Sequence, residues 1–265
     1  MKRSMKPTLI IVLTLCITQN AATPNAANAK ETPAIIATTI SSPLQQSKRD
    51  QKTVTGDNQR RINPAYLDPE NPDPKLPNVL IIGDSISIGY MAPLRKELSG
   101  IANVYRPKTN CGPSSKGLDE IDAWIGDRRW SIIQINHGLH DLKYMGPEGQ
   151  NLADPKAESS HQQIPPEQYA KNLDLLAERL KKTGATIIWC ETTPVPEGAA
   201  GRVVGDSKKY NAIAKKVMNE HGITTNGLFD FALKNVPTRP ANVHYTAENS
   251  QKLAAFVAAS IKENL

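Results

Sequence analysis

The sequence predicts an α/β fold: a doubly wound, three-layer α/β/α sandwich in which helices cover both faces of a five-stranded parallel sheet. Short apolar runs rich in β-branched residues, which are typical of strands buried on both faces, alternate with segments whose apolar residues recur at helical spacing. This alternation begins at residue 78 and continues to residue 265. The 188 residues of this stretch are enough for one domain with a sizeable core.

Five strands and five helices account for the alternation. The predicted strands span residues 78–82, 102–107, 131–136, 185–190 and 223–229. The predicted helices span residues 88–99, 115–126, 165–183, 207–220 and 247–263. In the third helix, Tyr169, Leu173 and Leu180 fall on one face. Thr246 is expected to cap the last helix, because its hydroxyl accepts a hydrogen bond from a free N–H group of the first turn.

Residues 1–29 have the pattern of a secretory signal peptide. Lys2, Arg3 and Lys6 precede an apolar stretch at 9–17, and small residues follow up to an Ala-Asn-Ala motif that ends at Ala29. The apolar stretch is too short to span a bilayer. We therefore expect cleavage after Ala29, a secreted or periplasmic location, and no stable membrane insertion of the mature chain.

Residues 30–77 are predicted to form a disordered linker whose last part lies against the domain. They are polar and contain seven prolines. Such a composition neither holds a helix nor buries enough apolar surface to fold by itself. The domain itself is therefore predicted to span residues 78–265.

Net charge and cysteine content do not favour a nucleic-acid or a metal-binding function. Removal of residues 1–29 takes away three basic residues and no acidic ones, so the formal charge falls from +6 to +3. Cys111 and Cys190 remain, and although export permits a disulfide, two free buried thiols are predicted. No Cys/His group has the spacing of zinc ligands, and no cofactor is predicted.

The candidate nucleophile is Ser85, which follows the first buried strand in the sequence Gly83-Asp84-Ser85. Ligands of open α/β sheets bind at the carboxyl ends of strands, and a helix N-terminus offers free N–H groups to a developing oxyanion. The alternative is that Ser85 is only a helix N-cap. A second copy at 205–207 follows a polar, glycine-rich segment and is predicted to be an ordinary helix start, with Asp206 or Ser207 as N-cap.

Other chemically useful residues also follow predicted strands. Gly112 comes after the second strand, His137 and His140 after the third, and His244 directly before the last helix. A glycine lets a backbone N–H approach a ligand closely. A serine hydroxyl is a weak nucleophile that needs a base such as histidine. We expect Ser85 and His244 to meet above the sheet.

These four segments, taken together and in this order, resemble the blocks of the SGNH (GDSL-type) hydrolase superfamily. The blocks correspond here to Gly83-Asp84-Ser85-Ile86-Ser87, Gly112, Gly138-Leu139-His140-Asp141 and Val243-His244. The resemblance implies a flavodoxin-like sandwich and ester hydrolysis through an acyl-enzyme. It assigns Ser85 as nucleophile, His244 as base, and Gly112 and the third block to the oxyanion site.

Two positions depart from the family pattern. His140 stands where the family usually has Asn, and a neutral imidazole also offers one N–H donor. A metal pair with His137 is not favoured, because residues three apart on a strand point to opposite faces. The family's acid position is Ala241, so either the Ala241 carbonyl or the Asn242 side chain is expected to orient His244. The sequence thus predicts a Ser-His dyad.

The resemblance favours an exported esterase that acts on O-acetylated carbohydrate. The substrate partner would be a small-molecule or polysaccharide ester. A lipase or lysophospholipase is a second interpretation, and a non-catalytic binding domain on the same fold is a third. Loops 142–165 and 192–205 are expected to wall the pocket, with Tyr144 and Arg202 as candidate contacts.

Overall fold

The structure is a computed structural model that describes residues 62–265. The predicted signal peptide at 1–29 and the linker residues 30–61 lie outside the described residues. The strands are β1 (Asn78–Ile82), β2 (Asn103–Tyr105), β3 (Ile132–Ile135), β4 (Tyr144–Met145), β5 (His161–Gln162), β6 (Thr186–Cys190) and β7 (Thr224–Asn226). The helices are α1 (Ser85–Glu97), α2 (Ser114–Ile125), α3 (Pro166–Lys181), α4 (Asp206–Glu220), α5 (Leu228–Asn235) and α6 (Ala247–Glu263).

The main sheet has five strands in the order β2-β1-β3-β6-β7, and every neighbouring pair is parallel. This order is the flavodoxin-like one, in which the direction of winding changes between β1 and β3. The predicted fold class is therefore confirmed. Ligand sites in such sheets lie beyond the carboxyl ends of the strands at this change of direction, which is where β1 leads into Ser85.

Helices form a layer on each face of the sheet. On one face α1 packs against α6, and on the other α3 packs against both α2 and α4. The central strands supply fully buried aliphatic side chains, including Val79, Ile81 and Ile133. Burial of such side chains is the main favourable contribution to folding. Between residues 62 and 265, no helix is long and apolar enough to cross a membrane.

Three local features differ from the sequence prediction. Helix α1 begins at Ser85 rather than 88, because the Asp84 side chain accepts a hydrogen bond from the Ile86 N–H group and caps the helix. The last strand ends at Asn226, and α5 follows it where the prediction continued the strand to 229. Loop 142–165 contains the antiparallel pair β4 and β5.

The second Gly-Asp-Ser copy also starts a helix, but its cap is not the predicted one. Gly205, with φ of 92°, is the N-cap of α4, and Asp206 is the first helical residue. Thr246 does cap α6, since its hydroxyl accepts from the Asn249 N–H group. Glycine suits the Gly205 position because other residues adopt such a φ only with strain.

Residues 62–77 lie against the domain. They contain a 3-10 helix at Pro64–Tyr66. Arg95 of α1 donates to the carbonyl oxygens of Pro64 at 3.0 Å and Leu67 at 2.6 Å. The Asn103 side chain of β2 donates to the Asp73 carbonyl at 2.8 Å. These hydrogen bonds hold residues 62–77 against α1 and against β2, an edge strand of the sheet.

Candidate active site

Ser85 and His244 are brought together at the carboxyl edge of the sheet. The Ser85 hydroxyl oxygen lies 2.9 Å from Nε2 of His244, a residue 159 positions further along the chain. Ser85 is half-buried as the first residue of α1, and His244 lies in the loop before α6. This separation is within the range at which an imidazole accepts a proton from a nucleophilic serine.

Asn242 determines which nitrogen of His244 carries the proton. Its Oδ1 accepts the backbone N–H of His244 at 2.9 Å and lies 2.7 Å from His244 Nδ1. Because a backbone N–H only donates, this amide atom must be the oxygen. Nδ1 is therefore the protonated nitrogen, and Nε2 is free to accept the Ser85 proton. The sequence leaves the Ala241 carbonyl and the Asn242 side chain as alternatives for orienting His244. In the structure the Asn242 side chain does so.

Ala241 occupies the family's acid position in an unusual backbone conformation. Its φ is 51°, in the left-handed region. Its Cβ lies close to loop 192–205, because a Cβ built on Gly198 would be only 3.1 Å away. The orienting group has thus moved one residue along the chain, to Asn242, and it is neutral.

Gly112 lies on a loop that is fastened to the end of β1. The Cys111 N–H donates to the Gly83 carbonyl at 3.3 Å. The Gly112 N–H, which was predicted to face the oxyanion, donates to the Asn110 side chain at 3.0 Å. This group can serve an oxyanion only after the Asn110 carboxamide turns away. Its oxyanion role stays a prediction.

His140 lies half-buried in the loop that follows β3. Burial lowers its pKa, the nearby Asp84 carboxylate acts in the opposite direction, and the cationic groups of Lys143 and Arg202 lower it further. The imidazole is therefore neutral at neutral pH and carries one N–H donor. That state fits the predicted oxyanion role, which itself stays a prediction.

His137 is fully buried and has a structural role. Its Nδ1 lies 3.0 Å from the Gly112 carbonyl, so Nδ1 carries the proton and donates. Burial lowers the pKa of His137 to about 4. In the part of the chain that is described, no group of three His, Cys, Asp or Glu side chains has the arrangement of a metal site. Cys111 and Cys190 are both free and buried, as predicted.

Arg106, to which the sequence analysis assigns no role, and Asp141, the last residue of the third block, hold the loops of the site. Arg106 is buried and donates to the carbonyls of Gly83 at 3.1 Å and Thr109 at 3.2 Å, which ties the first block to the glycine loop. The Asp141 carboxylate accepts the Ser114 N–H at 2.8 Å, at the start of α2. Burial raises the pKa of Asp141 to about 7. The sequence contains one signal for Arg106, because this charged residue lies inside a strand that is predicted to be buried.

A pocket of about 210 Å³ opens beside the dyad. Its walls include Ser85, Gly89, Arg239, His244 and Tyr245. Neither predicted wall loop contributes a residue to the walls of this pocket, and Tyr144 and Arg202 do not line it. The two loops are joined to each other through the Tyr144 N–H, which donates to the Gly201 carbonyl at 2.7 Å. Arg202 donates to the Leu139 carbonyl at 3.1 Å and so lies beside the third block.

Solved structures with similar folds include esterases and lipases. An acetyl xylan esterase matches with a TM-score of 0.55 and 12% identity, over 69% of this chain and 99% of that one. A lipase/acylhydrolase from Enterococcus faecalis matches with a TM-score of 0.56 and 14% identity, over 71% and 96%. A GDSL-like lipase from Bacteroides thetaiotaomicron matches with a TM-score of 0.53 and 16% identity, over 77% and 95%.

These similarities show the fold of the protein. The chain has the three-layer fold of the SGNH (GDSL-type) hydrolases, which is the fold that the resemblance of its four blocks predicts. No protein-family model and no curated protein matches the sequence.

Proposed function

We propose that the protein is an exported serine esterase that hydrolyses carboxylic esters through an acyl-enzyme. The observation that carries this proposal is the chain of contacts from Ser85 to His244 and from His244 to Asn242, at 2.9 Å and 2.7 Å. It gives a serine hydroxyl a neutral imidazole in the tautomer that accepts its proton. Asp84 caps α1, so the alternative in which Ser85 is only an N-cap does not account for its contact with a histidine from the other end of the domain.

The mechanism follows from this geometry. Ser85 Oγ attacks the ester carbonyl as its proton passes to His244 Nε2, and a tetrahedral oxyanion forms. His140 and the backbone N–H of Ser85 stabilise that oxyanion, and the Gly112 N–H joins them once Asn110 turns away. The bond to the alcohol oxygen then breaks, and the imidazolium protonates the leaving alcohol. Water, deprotonated by His244, releases the acid and restores Ser85.

The dyad lacks the charge of a full triad. Asn242 holds the imidazole in the required tautomer and orientation, but a neutral amide stabilises the imidazolium less than a carboxylate does. We therefore expect the enzyme to turn over esters more slowly than an enzyme of the same fold with an acid in this place.

Our favoured substrate class is O-acetylated carbohydrate. The pocket at Ser85 and His244 is small, at about 210 Å³, and it suits a short acyl group better than a long chain. Aromatic residues make up only 5% of the chain, which also gives little support to binding of long acyl chains. One structure with the same fold is an acetyl xylan esterase. The second candidate is a lipase or lysophospholipase, and lipases are also among the similar structures.

A panel of esters tests the proposal. The full chain is assayed with p-nitrophenyl esters of increasing acyl length and with acetylated polysaccharides, beside the Ser85→Ala variant. We expect hydrolysis of acetyl esters that declines for octanoyl and longer esters and disappears in Ser85→Ala. A preference for long acyl chains would favour the lipase. An intact, folded chain that hydrolyses none of these esters would favour a binding domain.

A further inference from the structure

Arg239 stands on the wall of the Ser85–His244 pocket and is held there by the same loop that carries the base. Its backbone N–H donates to the His244 carbonyl at 2.8 Å, and its carbonyl accepts the Asn242 N–H at 3.2 Å. Its side-chain Nε donates to the Tyr245 carbonyl at 3.1 Å. These bonds fix the guanidinium beside the dyad and leave its Nη1/Nη2 edge, which suits bidentate binding of an oxyanion, without a protein partner among residues 62–265.

This guanidinium has no counter-ion from the protein. None of the ion pairs within the described region includes Arg239, Arg202 or Lys143, three cations at this edge of the sheet. The group that orients His244 is an amide rather than a carboxylate. The buried Asp84 carboxylate caps α1 with one oxygen, its other oxygen has no partner among the described residues, and Asp84 is not among the residues that line the pocket. Arg239 is the one Arg or Lys among the described residues that line the pocket, and none of these residues is an Asp or Glu.

The Arg239 side chain is exposed, so water screens its charge, but the remaining charge acts against the mechanism unless the substrate compensates it. His244 becomes an imidazolium in the transition state, and a neighbouring guanidinium disfavours a second positive charge. An anionic group of the substrate bound to Arg239 removes that repulsion. A guanidinium and a carboxylate also match in shape, because two parallel N–H groups meet two oxygens.

Space for such a group continues beyond Arg239. A second cavity of about 400 Å³ shares Arg239 and Tyr245 with the pocket at the dyad. Its other walls come from α5 and from the proline-rich loops around Pro196 and Pro237, and they include the Glu197 carboxylate. Arg239 and Tyr245 border both spaces, so a substrate with its ester at Ser85 meets Arg239 where the two spaces adjoin.

We propose that Arg239 determines specificity by binding an anionic group, foremost a carboxylate, on the alcohol part of the ester. The substrate class is then acetylated acidic saccharide, such as an acetylated uronic acid. The alcohol part carries the charge, because an acetyl group has no place for one. This inference rests on the proposed esterase function.

Equilibrium binding tests the inference without turnover. An O-acetylated methyl glucuronoside and its uronamide differ only in a carboxylate and a neutral carboxamide. Calorimetry with Ser85→Ala should show at least about tenfold tighter binding of the uronate, which corresponds to about 1.4 kcal/mol. Adding Arg239→Gln should remove the preference, and Arg239→Lys, which keeps the charge, should retain part of it.

Arg129→Gln is the matched control. It removes one positive charge at the opposite edge of the sheet, where the Arg129 carbonyl accepts from the Asn78 side chain at the start of β1. It should leave the preference for the uronate intact. Equal affinities for the two probes, no binding of either, or a preference that survives Arg239→Gln would overturn the inference.

Turnover separates this inference from the proposed function. In the enzyme that retains Ser85, Arg239→Gln should lower kcat/KM for the uronate by about tenfold or more. It should leave kcat/KM for the uronamide nearly unchanged. Hydrolysis of both probes at equal rates would overturn the role of Arg239 while the esterase function stands. Preferred binding of the uronate without hydrolysis of either probe would overturn the esterase function while the anion site stands.

Discussion

The protein contains the tripeptide Gly-Asp-Ser twice, and the two copies take different places in the fold. The first, at 83–85, leaves buried strand β1 and ends with a serine that contacts His244 at 2.9 Å. The second, at 205–207, leaves a loop, and its serine is only 1% exposed. The same three residues therefore form a candidate nucleophile in one place and an ordinary helix start in the other.

A shift of one residue in the helix start accounts for much of the difference. In the first copy Asp84 caps α1, so that Ser85 is the first helical residue. In the second copy Gly205 caps α4, and Asp206 is the first helical residue, bonded to Lys209 at 3.0 Å and to Gln162 at 3.1 Å. Whether the serine can act as a nucleophile therefore depends on the buried strand before the tripeptide and on the histidine that contacts it, and not on the tripeptide alone.

The largest effect is expected from removal of the Ser85 hydroxyl. Ser85→Ala should lower kcat for an accepted ester by at least about 10⁴-fold, because the nucleophile of a covalent mechanism is lost. Steady-state kinetics at a fixed pH measures this loss, with circular dichroism to show that the variant is folded.

Ser207→Ala provides the matched control from the second copy. It removes the hydroxyl of the serine that follows the aspartate in the same tripeptide, but this serine is buried and the side chain of His244 bonds to Ser85 and Asn242 instead. Its kcat should remain near that of the wild type. Comparable losses in both variants would contradict the distinction between the two copies.

The sequence reveals the distinction because the decisive features are local or periodic. The β-branched run before Gly83 and its absence before Gly205 are visible in the sequence, and the buried strand pattern predicts the parallel sheet. The position of the helix start was missed, since it depends on whether Asp84 or Ser85 accepts the first N–H bond. Helix α5 was missed because it is only eight residues long and follows a three-residue strand after a single glycine.

The second-largest effect on kcat is expected at His140, the candidate oxyanion donor near the first Gly-Asp-Ser copy. Loss of one oxyanion donor typically lowers kcat by about 10²–10³-fold. His140→Ala should therefore lower kcat strongly with little change in KM, and His140→Asn should recover part of the loss. Wild-type kinetics in both variants would show that His140 has no catalytic role.

A third contrast lies between two buried carboxylates at helix starts. Asp206 is paired with the Lys209 cation, whereas Asp141 accepts from Ser114 and has one oxygen without a partner among the described residues. Burial raises the pKa of Asp141 to about 7, so the folded state holds this proton more tightly than the unfolded chain does. Stability present below about pH 4 is then lost as the pH rises towards 7.

Asp141→Asn should remove that loss, because asparagine resembles the protonated acid in shape and charge. Urea unfolding should show that the free energy of unfolding of the variant, relative to that of the wild type, increases by about 1–3 kcal/mol between pH 5 and pH 8. The exposed Asp119→Asn on α2 is the control and should show no such change with pH. A difference between variant and wild type that is the same at both pH values would contradict this account.

The smallest effect is expected at Asn242. Asn242→Asp places a carboxylate against His244 Nδ1 and should raise kcat/KM by about tenfold, because a charge stabilises the imidazolium. The gain is limited, since both side chains are exposed and water screens their interaction. The ascending limb of the pH–rate profile should move to higher pH, as the protonated imidazole becomes more favourable. An unchanged rate and profile would show that Asn242 does not act on His244.

Prediction of the site from sequence reached its limit at this residue. Counting from His244 leads to Ala241 as the acid position, and the sequence leaves its carbonyl and Asn242 as alternatives. The choice depends on the left-handed backbone at Ala241, which turns the next side chain back to His244 Nδ1. The occupation of the Gly112 N–H by Asn110 is likewise a side-chain contact that no spacing reveals.

The most direct test of the central claim is covalent labelling of the intact protein with a fluorophosphonate, followed by mass spectrometry. The account predicts a single adduct on the wild type, located at Ser85 by peptide mapping. It predicts the same adduct on Ser207→Ala and none on Ser85→Ala or His244→Ala. A folded wild type that stays unlabelled, or an adduct located on Ser207, would contradict the claim that Ser85 and His244 form a catalytic pair.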